Sequence, residues 1–392
     1  MEKILRFPKD FLWGSSTSAY QVEGGINNCD WSKFKDAGAA CDHYNRYEED
    51  FDLLKKLNQN SFRLSIEWSR VEPKEGEFDE KEIEHYKKVL LALKERGIVP
   101  FVTLYHWTVP LWFKEKGGWL NSISPCYFER YVQKVMENLG GLANFWITIN
   151  EPFIYSSHSY FKGEWPPHEK SFLKTKKVIK KLTEAHKRTY RVIHQFNKEA
   201  KVSIAKSNMF FDATDNKLIN RFLARIANYF WNEYFLNSIR KELDFIGLNY
   251  YFHVKIRFKR GKPGKWFNQE KEGELTDMGW EIYPEGIYHT LKGLKKYNLP
   301  IYITENGVAD ARDRFRRGFI RDHLCWLHKA IDEGVDVRGY FHWSLIDNFE
   351  WDKGFEKRFG LVEIDYNALE RKPRPSAYYY AQICKDNSLI CG

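Results

Sequence analysis

The chain has 392 residues, 43% hydrophobic and 17% aromatic, with six cysteines and a formal net charge of +9. A chain of this length buries most of the surface its unfolded form exposes, so a core forms without a metal or disulfide framework. It has no run of 18 apolar residues and no CxxC pair, and its basic stretches at 174–181 and 255–265 come without a nucleic-acid-binding motif; this argues against a membrane span, a zinc or redox site and a nucleic-acid partner.

Read in order, the sequence alternates short β-branched and aromatic runs with longer segments of helical period. The first run, 11–17, predicts a strand and 44–57 a helix; strands at 62–68 and 99–107 follow, each with a helix after it, at 81–96 and 127–139. A strand at 145–150 leads into a helix over 174–197, and strands at 202–207 and 245–251 come next. A helix at 284–297, a strand at 301–304, a helix at 319–333 and a strand at 337–343 complete the series. Strand–helix alternation implies parallel strands with right-handed crossovers. Eight strands point to an α/β fold, a single (β/α)8 TIM barrel spanning 1–392. An open doubly wound sheet would carry a glycine-rich phosphate turn after its first strand, and Gly14, Ser15 and Ser16 stand there without one. The N-terminal segment MEKILRFPKDF has no apolar core, and the cysteines read as free thiols in a cytoplasmic protein, with Cys384 and Cys391 near enough in sequence to pair.

The strand ends carry the functional signal. They hold Gln21, Arg63, Glu67, His106, Trp107, Asn150, Glu151, Asn249, Tyr251, Glu305, Asn306 and Trp343. Any one of these is accounted for as a loop cap, but polar groups at seven of eight strand ends mark the face where barrel enzymes keep their active sites. Glu151 and Glu305 end the fourth and seventh strands and so face each other across the mouth. Two such carboxyls suit glycoside hydrolysis, in which one stays protonated and the other ionised. Arg63 is placed to hold one of them ionised and Tyr251 to donate a hydrogen bond to it. No GxSxG, HExxH or Walker motif competes, and His106, His186, His194 and His342 lie on separate elements, so neither a metal nor a cofactor is expected.

Nearly end to end, the segments FLWGSSTSAYQVEG, SFRLSIEWSR, TLYHWTVPLWF, TINEP, DFIGLNYY, YITENG, HWSLIDNFEW and RFGLVEIDY resemble glycoside hydrolase family 1, the β-glucosidase and β-galactosidase family. The resemblance implies a retaining hydrolase with Glu151 of TINEP as acid/base and Glu305 of YITENG as nucleophile, the latter supported by Arg63 and Tyr251. It further implies that Asn150 bonds the sugar 2-hydroxyl, that Gln21, His106, Trp107, Glu350 and Trp351 hold the other hydroxyls, and that Trp343 is the stacking floor, with Asn249 and Phe359 in the same pocket. The expected substrate is a small β-glycoside or oligosaccharide, first a β-glucoside, with some β-galactoside and β-fucoside activity. Assembly state and aglycone preference do not transfer, because the stretch between Trp231 and Asp244 is shorter than the family's usual form and the 257–278 loop is basic in its first half. A 6-phospho-β-glycosidase is the alternative within the family, disfavoured by Glu350, whose carboxylate would repel a phosphate. A non-catalytic sugar-binding relative is the alternative outside it, although both glutamates are present, and a nucleic-acid binder is a distant third.

Overall fold

The computed structural model describes residues 3–259, 267–268 and 273–391. Eight parallel strands form the ring: β1 (Leu12–Ser16), β2 (Ser61–Ser65), β3 (Val99–Thr103), β4 (Phe145–Asn150), β5 (Lys201–Ala213), β6 (Ile246–Ile256), β7 (Ile301–Asn306) and β8 (Val337–Trp343). Each pairs with the next, and β8 returns to β1 with Gly339 opposite Leu12 and Trp343 opposite Ser16, which closes the barrel. The expected (β/α)8 architecture is therefore present. The longer helices around it are α1 (His43–Lys56), α2 (Glu80–Glu95), α3 (Ser124–Leu139), α4 (Phe172–Phe196), α5 (Leu218–Asn228), α6 (Glu285–Leu294), α7 (Arg316–Asp332) and α8 (Pro375–Asp386).

An aromatic plug fills the barrel interior below the mouth. Phe101, Ile147, Ala205, Phe245, Tyr302 and Phe341 pack together, and Phe101 stacks on Phe145 with ring centroids 4.1 Å apart. A filled interior leaves the upper strand ends as the place for chemistry. Two strands run past their expected ends. β5 continues to Ala213 and β6 to Ile256, still paired in parallel, because alternating side chains beyond the barrel rim pack under α5, as Met209, Phe211 and Val254 do against Ala224. Conversely β3 stops at Thr103, so His106 and Trp107 lie on the loop that follows it.

The free-thiol reading of the cysteines is corrected at two positions. Cys391 is joined to Cys325 of α7, across a Cα separation of 6.1 Å, and does not pair with Cys384. Cys384 points from α8 into the buried layer beside Tyr380, whereas Cys391 lies on the edge strand Ser388–Cys391, which pairs with Lys3–Arg6 and packs against α7. Cys29, Cys41, Cys126 and Cys384 are free, so only four of the six cysteines bear out the free-thiol reading. The basic stretch at 174–181 forms the first half of α4, where Lys174 pairs with Glu169 at 2.6 Å and Lys181 with Glu184 at 3.1 Å. Of the other basic stretch, 260–265 lies outside the described residues, as does part of the 257–278 loop. Among the described residues no helix is long and apolar enough to cross a membrane, and no group of His, Cys, Asp or Glu could hold a metal ion.

Candidate active site

Glu151 and Glu305 both reach the mouth from strand ends and are both buried. Glu305 lies within β7, held in extended backbone, while Glu151 follows β4 at φ 44°, a left-handed conformation uncommon for a residue with a side chain. Its N–H bonds to the Ala205 carbonyl of β5 at 2.8 Å, and Pro152 behind it starts the one-turn helix Pro152–Ser156. The bond and the helix start fix the turn that carries the carboxyl, and such strain concentrates at functional positions.

The two carboxyls have different partners. Arg63 Nη1 donates to Glu305 Oε1 at 2.5 Å and Tyr251 Oη to Oε2 at 2.9 Å. Among the described residues, Glu151 Oε1 accepts from Asn249 Nδ2 alone, at 2.9 Å, and no cation touches it. Burial raises Glu151 above the usual carboxylate range, and the Glu305 carboxylate raises it further. Burial also raises Glu305, but the guanidinium and hydrogen bond of Arg63, together with Tyr251, pull it back. The Tyr251 hydroxyl, pushed well up by burial and by Glu305, stays a donor. The arrangement can keep one carboxyl protonated beside an ionised one.

A polar scaffold fixes these groups. Arg63 also donates to Asn150 Oδ1 at 2.7 Å and to Thr103 Oγ1 at 3.1 Å, and Thr304 Oγ1 donates to Asn249 Oδ1 at 2.6 Å. Asn150 Nδ2 lies 3.1 Å from His106 Nε2. If the amide donates there, the imidazole proton sits on Nδ1, which has no protein partner. Burial, with Arg63 nearby, holds His106 neutral. Gln21 Nε2 binds Asn348 Oδ1 at 3.0 Å, the Phe349 carbonyl at 2.8 Å and Glu350 Oε2 at 3.4 Å.

Trp343, with Phe359 and Ala309, forms an apolar cluster flanked by Tyr251, Met278 and Trp280. Trp343 and Trp351 each lie 6.1 Å from the His106 ring, nearly parallel to it. Trp107 contacts Trp351 at 4.8 Å, but its indole N–H donates to the Asn150 carbonyl at 3.1 Å, so it offers the pocket a ring face and no donor. The structure thus joins Arg63, Asn150, Asn249, Tyr251 and His106 to the two carboxyls through hydrogen bonds, and Gln21 to Glu350. Glu67, noted at the rim, is instead a local cap, accepting from the Ser69 amide and from the hydroxyls of Ser69 and Thr108.

One sequence argument is corrected. Burial, Glu305 and Asp352 push Glu350 up to about 8, so at neutral pH it is mostly a neutral carboxyl and repels a phosphate weakly. Among the described residues, the nearby cations are already engaged: Lys353 pairs with Asp352, and Lys35 donates to the Asp352 carbonyl at 2.7 Å. Sequence reasoning also missed Trp280, Trp165 and Lys206. Trp165 packs on Trp107 at 4.8 Å, and Lys206 is a buried lysine behind Glu151. Only the unusual charge of Lys206 within an apolar strand signalled it in the sequence.

A closed barrel whose strand ends gather two buried carboxyls with unequal partners, buried side-chain amides and indole rings is the architecture of a glycoside hydrolase. The chain matches the profile of Glycosyl hydrolase family 1 over residues 4–241 and 227–389, and it belongs to that family. It is 36% identical to Beta-glucosidase A of Thermotoga maritima over 98% of this chain and 99% of the relative. The structure superposes on a beta-glycosidase from Pyrococcus horikoshii with a TM-score of 0.93 at 39% identity, covering 99% of this chain and 96% of that one. It likewise superposes on the Thermotoga maritima beta-glucosidase in complex with glucoimidazole, with a TM-score of 0.91 at 34% identity, covering 97% and 99% of the two chains.

Proposed function

We propose that the chain, acting as one catalytic domain, hydrolyses terminal β-glycosides with retention, with Glu305 as nucleophile and Glu151 as general acid/base. The observation that carries this is the unequal environment of the two carboxyls: Arg63 and Tyr251 on Glu305, and only an amide on Glu151. In the first step Glu305 attacks the anomeric carbon while Glu151 gives its proton to the departing oxygen. In the second, Glu151 takes a proton from water, whose oxygen attacks the same carbon, and the Glu305 ester breaks. Asn150 bonds the 2-hydroxyl, and Gln21, His106, Glu350 and Trp351 bond the remaining hydroxyls. Trp107 closes the wall with its ring, and Trp343 stacks under the sugar beside Phe359 and Asn249. An unphosphorylated β-glucoside is the preferred substrate, with β-galactosides and β-fucosides tolerated, and the setting is cytoplasmic.

Glu305→Gly should lose turnover and recover it with azide, giving the α-glycosyl azide. Glu151→Ala should keep its first step on aryl glycosides with good leaving groups, which need little protonation. Equal loss on every aglycone in both variants, or release of the α-anomer as first product from a β-glycoside, would overturn the assignment.

A further inference from the structure

The two-step reaction leaves one buried charge near the centre without a role. Lys206 follows Ala205 in β5, the strand whose Ala205 carbonyl holds the Glu151 N–H. Its side chain is enclosed, with the residue 1% exposed. Nζ donates to the Ser207 carbonyl at 2.6 Å and lies 5.2 Å from the ring centre of Phe153 and 5.7 Å from that of Trp231. Phe153 sits two residues beyond Glu151 on the helix Pro152–Ser156, and Trp231 comes from the turn Tyr229–Glu233 that extends α5. Aromatic faces favour a cation, yet a buried ammonium with no carboxylate in contact is costly, so its retention calls for a counterpart within electrostatic reach. Glu151 is placed to be that counterpart: its N–H is held by the carbonyl of Ala205, the residue before Lys206, and Phe153, two residues after Glu151, lies against the ammonium.

We propose that Lys206 is a positioning residue for the second half-reaction, its ammonium stabilising the Glu151 carboxylate while the sugar is esterified to Glu305. The proposal rests on the reading of Glu151 as acid/base. The charged and titratable groups that face Glu151 are Glu305 of β7, Arg63 of β2, Lys206 of β5 and Glu350 after β8, with Tyr251 of β6 protonated beside them. In the resting enzyme the Glu305 charge helps Glu151 keep its proton. Once that proton has gone to the leaving group and Glu305 has become a neutral ester, the new negative charge is on Glu151. Arg63 is tied to Glu305 and Asn150 and also favours the Glu151 carboxylate, but Lys206 is the cation that favours it more. Burial brings Lys206 down to about 7, and the Glu151 carboxylate opposes that fall. Each ionisation therefore favours the other.

The test is the pH dependence of Lys206→Met and Lys206→Arg in the intact enzyme. With a poor leaving group, kcat/KM reports Glu151 in the free enzyme; with an activated aryl glycoside limited by deglycosylation, kcat reports it in the intermediate. In Lys206→Met the alkaline limb of kcat/KM should move up by about one pH unit, since a cation that lowered the Glu151 pKa is gone. Its kcat on the activated glycoside should fall several-fold on the acid side of neutrality, where the base is now protonated. Lys206→Arg should restore both limbs. A side chain that only fills space would lower the height of both profiles and leave their limbs in place, and that result would overturn the proposal. Should Lys206→Met not fold, 15N NMR of the Lys206 ammonium decides: it should titrate lower in Glu151→Gln than in the unaltered enzyme, and an unchanged titration would equally overturn it. Loss of leaving-group dependence in Glu151→Ala would instead sink the acid/base assignment, so the two failures are distinguishable.

Discussion

Arg63 shows how much a single side chain settles at the residue scale. Its guanidinium joins Glu305, Asn150 and Thr103, and only a planar fork with five donors can serve all three at once. Arg63→Lys should lower kcat/KM by roughly 100-fold or more, because misplacing a charge-assisted contact by about 1 Å has that scale of effect. Because Arg63 lowers the Glu305 pKa, its weakening should also move the acid limb of the pH–rate profile upward; a fall in rate with both limbs unmoved would mean that it holds only the fold. At the rim, Glu350→Ala should cut kcat/KM for nitrophenyl β-glucoside by roughly 10- to 1,000-fold through lost sugar hydrogen bonds. The unaltered enzyme should prefer that substrate to its 6-phosphate, and the opposite preference would identify a 6-phospho-β-glycosidase. These residues were legible in the sequence because each is polar and falls at a strand end. The charge state of Glu350 was not, since it depends on its burial beside Glu305 and Glu151, which other strands bring to it.

At the scale of elements, the tie between α7 and the last strand is open to direct test. The Cys325–Cys391 bond closes a separation of 66 residues, and the chain-entropy treatment assigns a loop of that size about 4 kcal/mol. Cys325→Ser should lower unfolding free energy by up to that amount in denaturant titrations and leave kcat unchanged at low temperature; equal midpoints with and without reductant would show that the bond does not act on stability. A second tie joins α1 to the C-terminal segment: Asp50 binds His43 at 2.7 Å and Arg371 at 2.9 Å, entirely out of solvent. Asp50→Asn should cost about 3–5 kcal/mol, as breaking a buried pair does. Sequence reading recovered all eight barrel strands, whose apolar runs are dictated by burial on both faces, and six of the surrounding helices. It missed α8 and α5, in the second of which Leu218 and Phe222 are 81% and 59% exposed, so the apolar period does not mark a buried face. It also misjudged Cys391, whose neighbour lies far away in sequence and close only across the barrel's outer layer.

At the scale of the whole molecule, the buried acids set the pH response. Burial raises Glu23, Asp30, Glu67, Glu72, Glu151, Glu305 and Glu350 in the folded state, Asp30 to about 7 and Glu350 to about 8. A group whose folded pKa is raised gives its full stability below the unfolded value and loses it as pH climbs to the folded one. Burial holds His85, His106, His158, His186, His323 and His342 below their ordinary value, and they act with the opposite sign up to about pH 6.5. The acids' decline in unfolding free energy should therefore show between about pH 6.5 and pH 8, by an amount on the order of a few kcal/mol. Asp50 has the opposite sign. Burial raises it, but His43 and Arg371 outweigh burial and hold it below its ordinary value, so its contribution is present above that value and disappears in stronger acid. Glu350→Gln should flatten the neutral part of the curve; a slope unchanged in that variant would show that Glu350 does not carry the linkage.

The bonds that fix the reacting carboxyls come from strand ends and their immediate neighbours: Arg63, Asn249, Tyr251 and Thr304. Each of the four is a residue of a barrel strand. The loops around the mouth can therefore vary in length and charge, and alter what is cleaved from the sugar, while the cleaving apparatus stays as it is. A barrel wired in this way separates inheritance of the chemistry from variation in what it acts on.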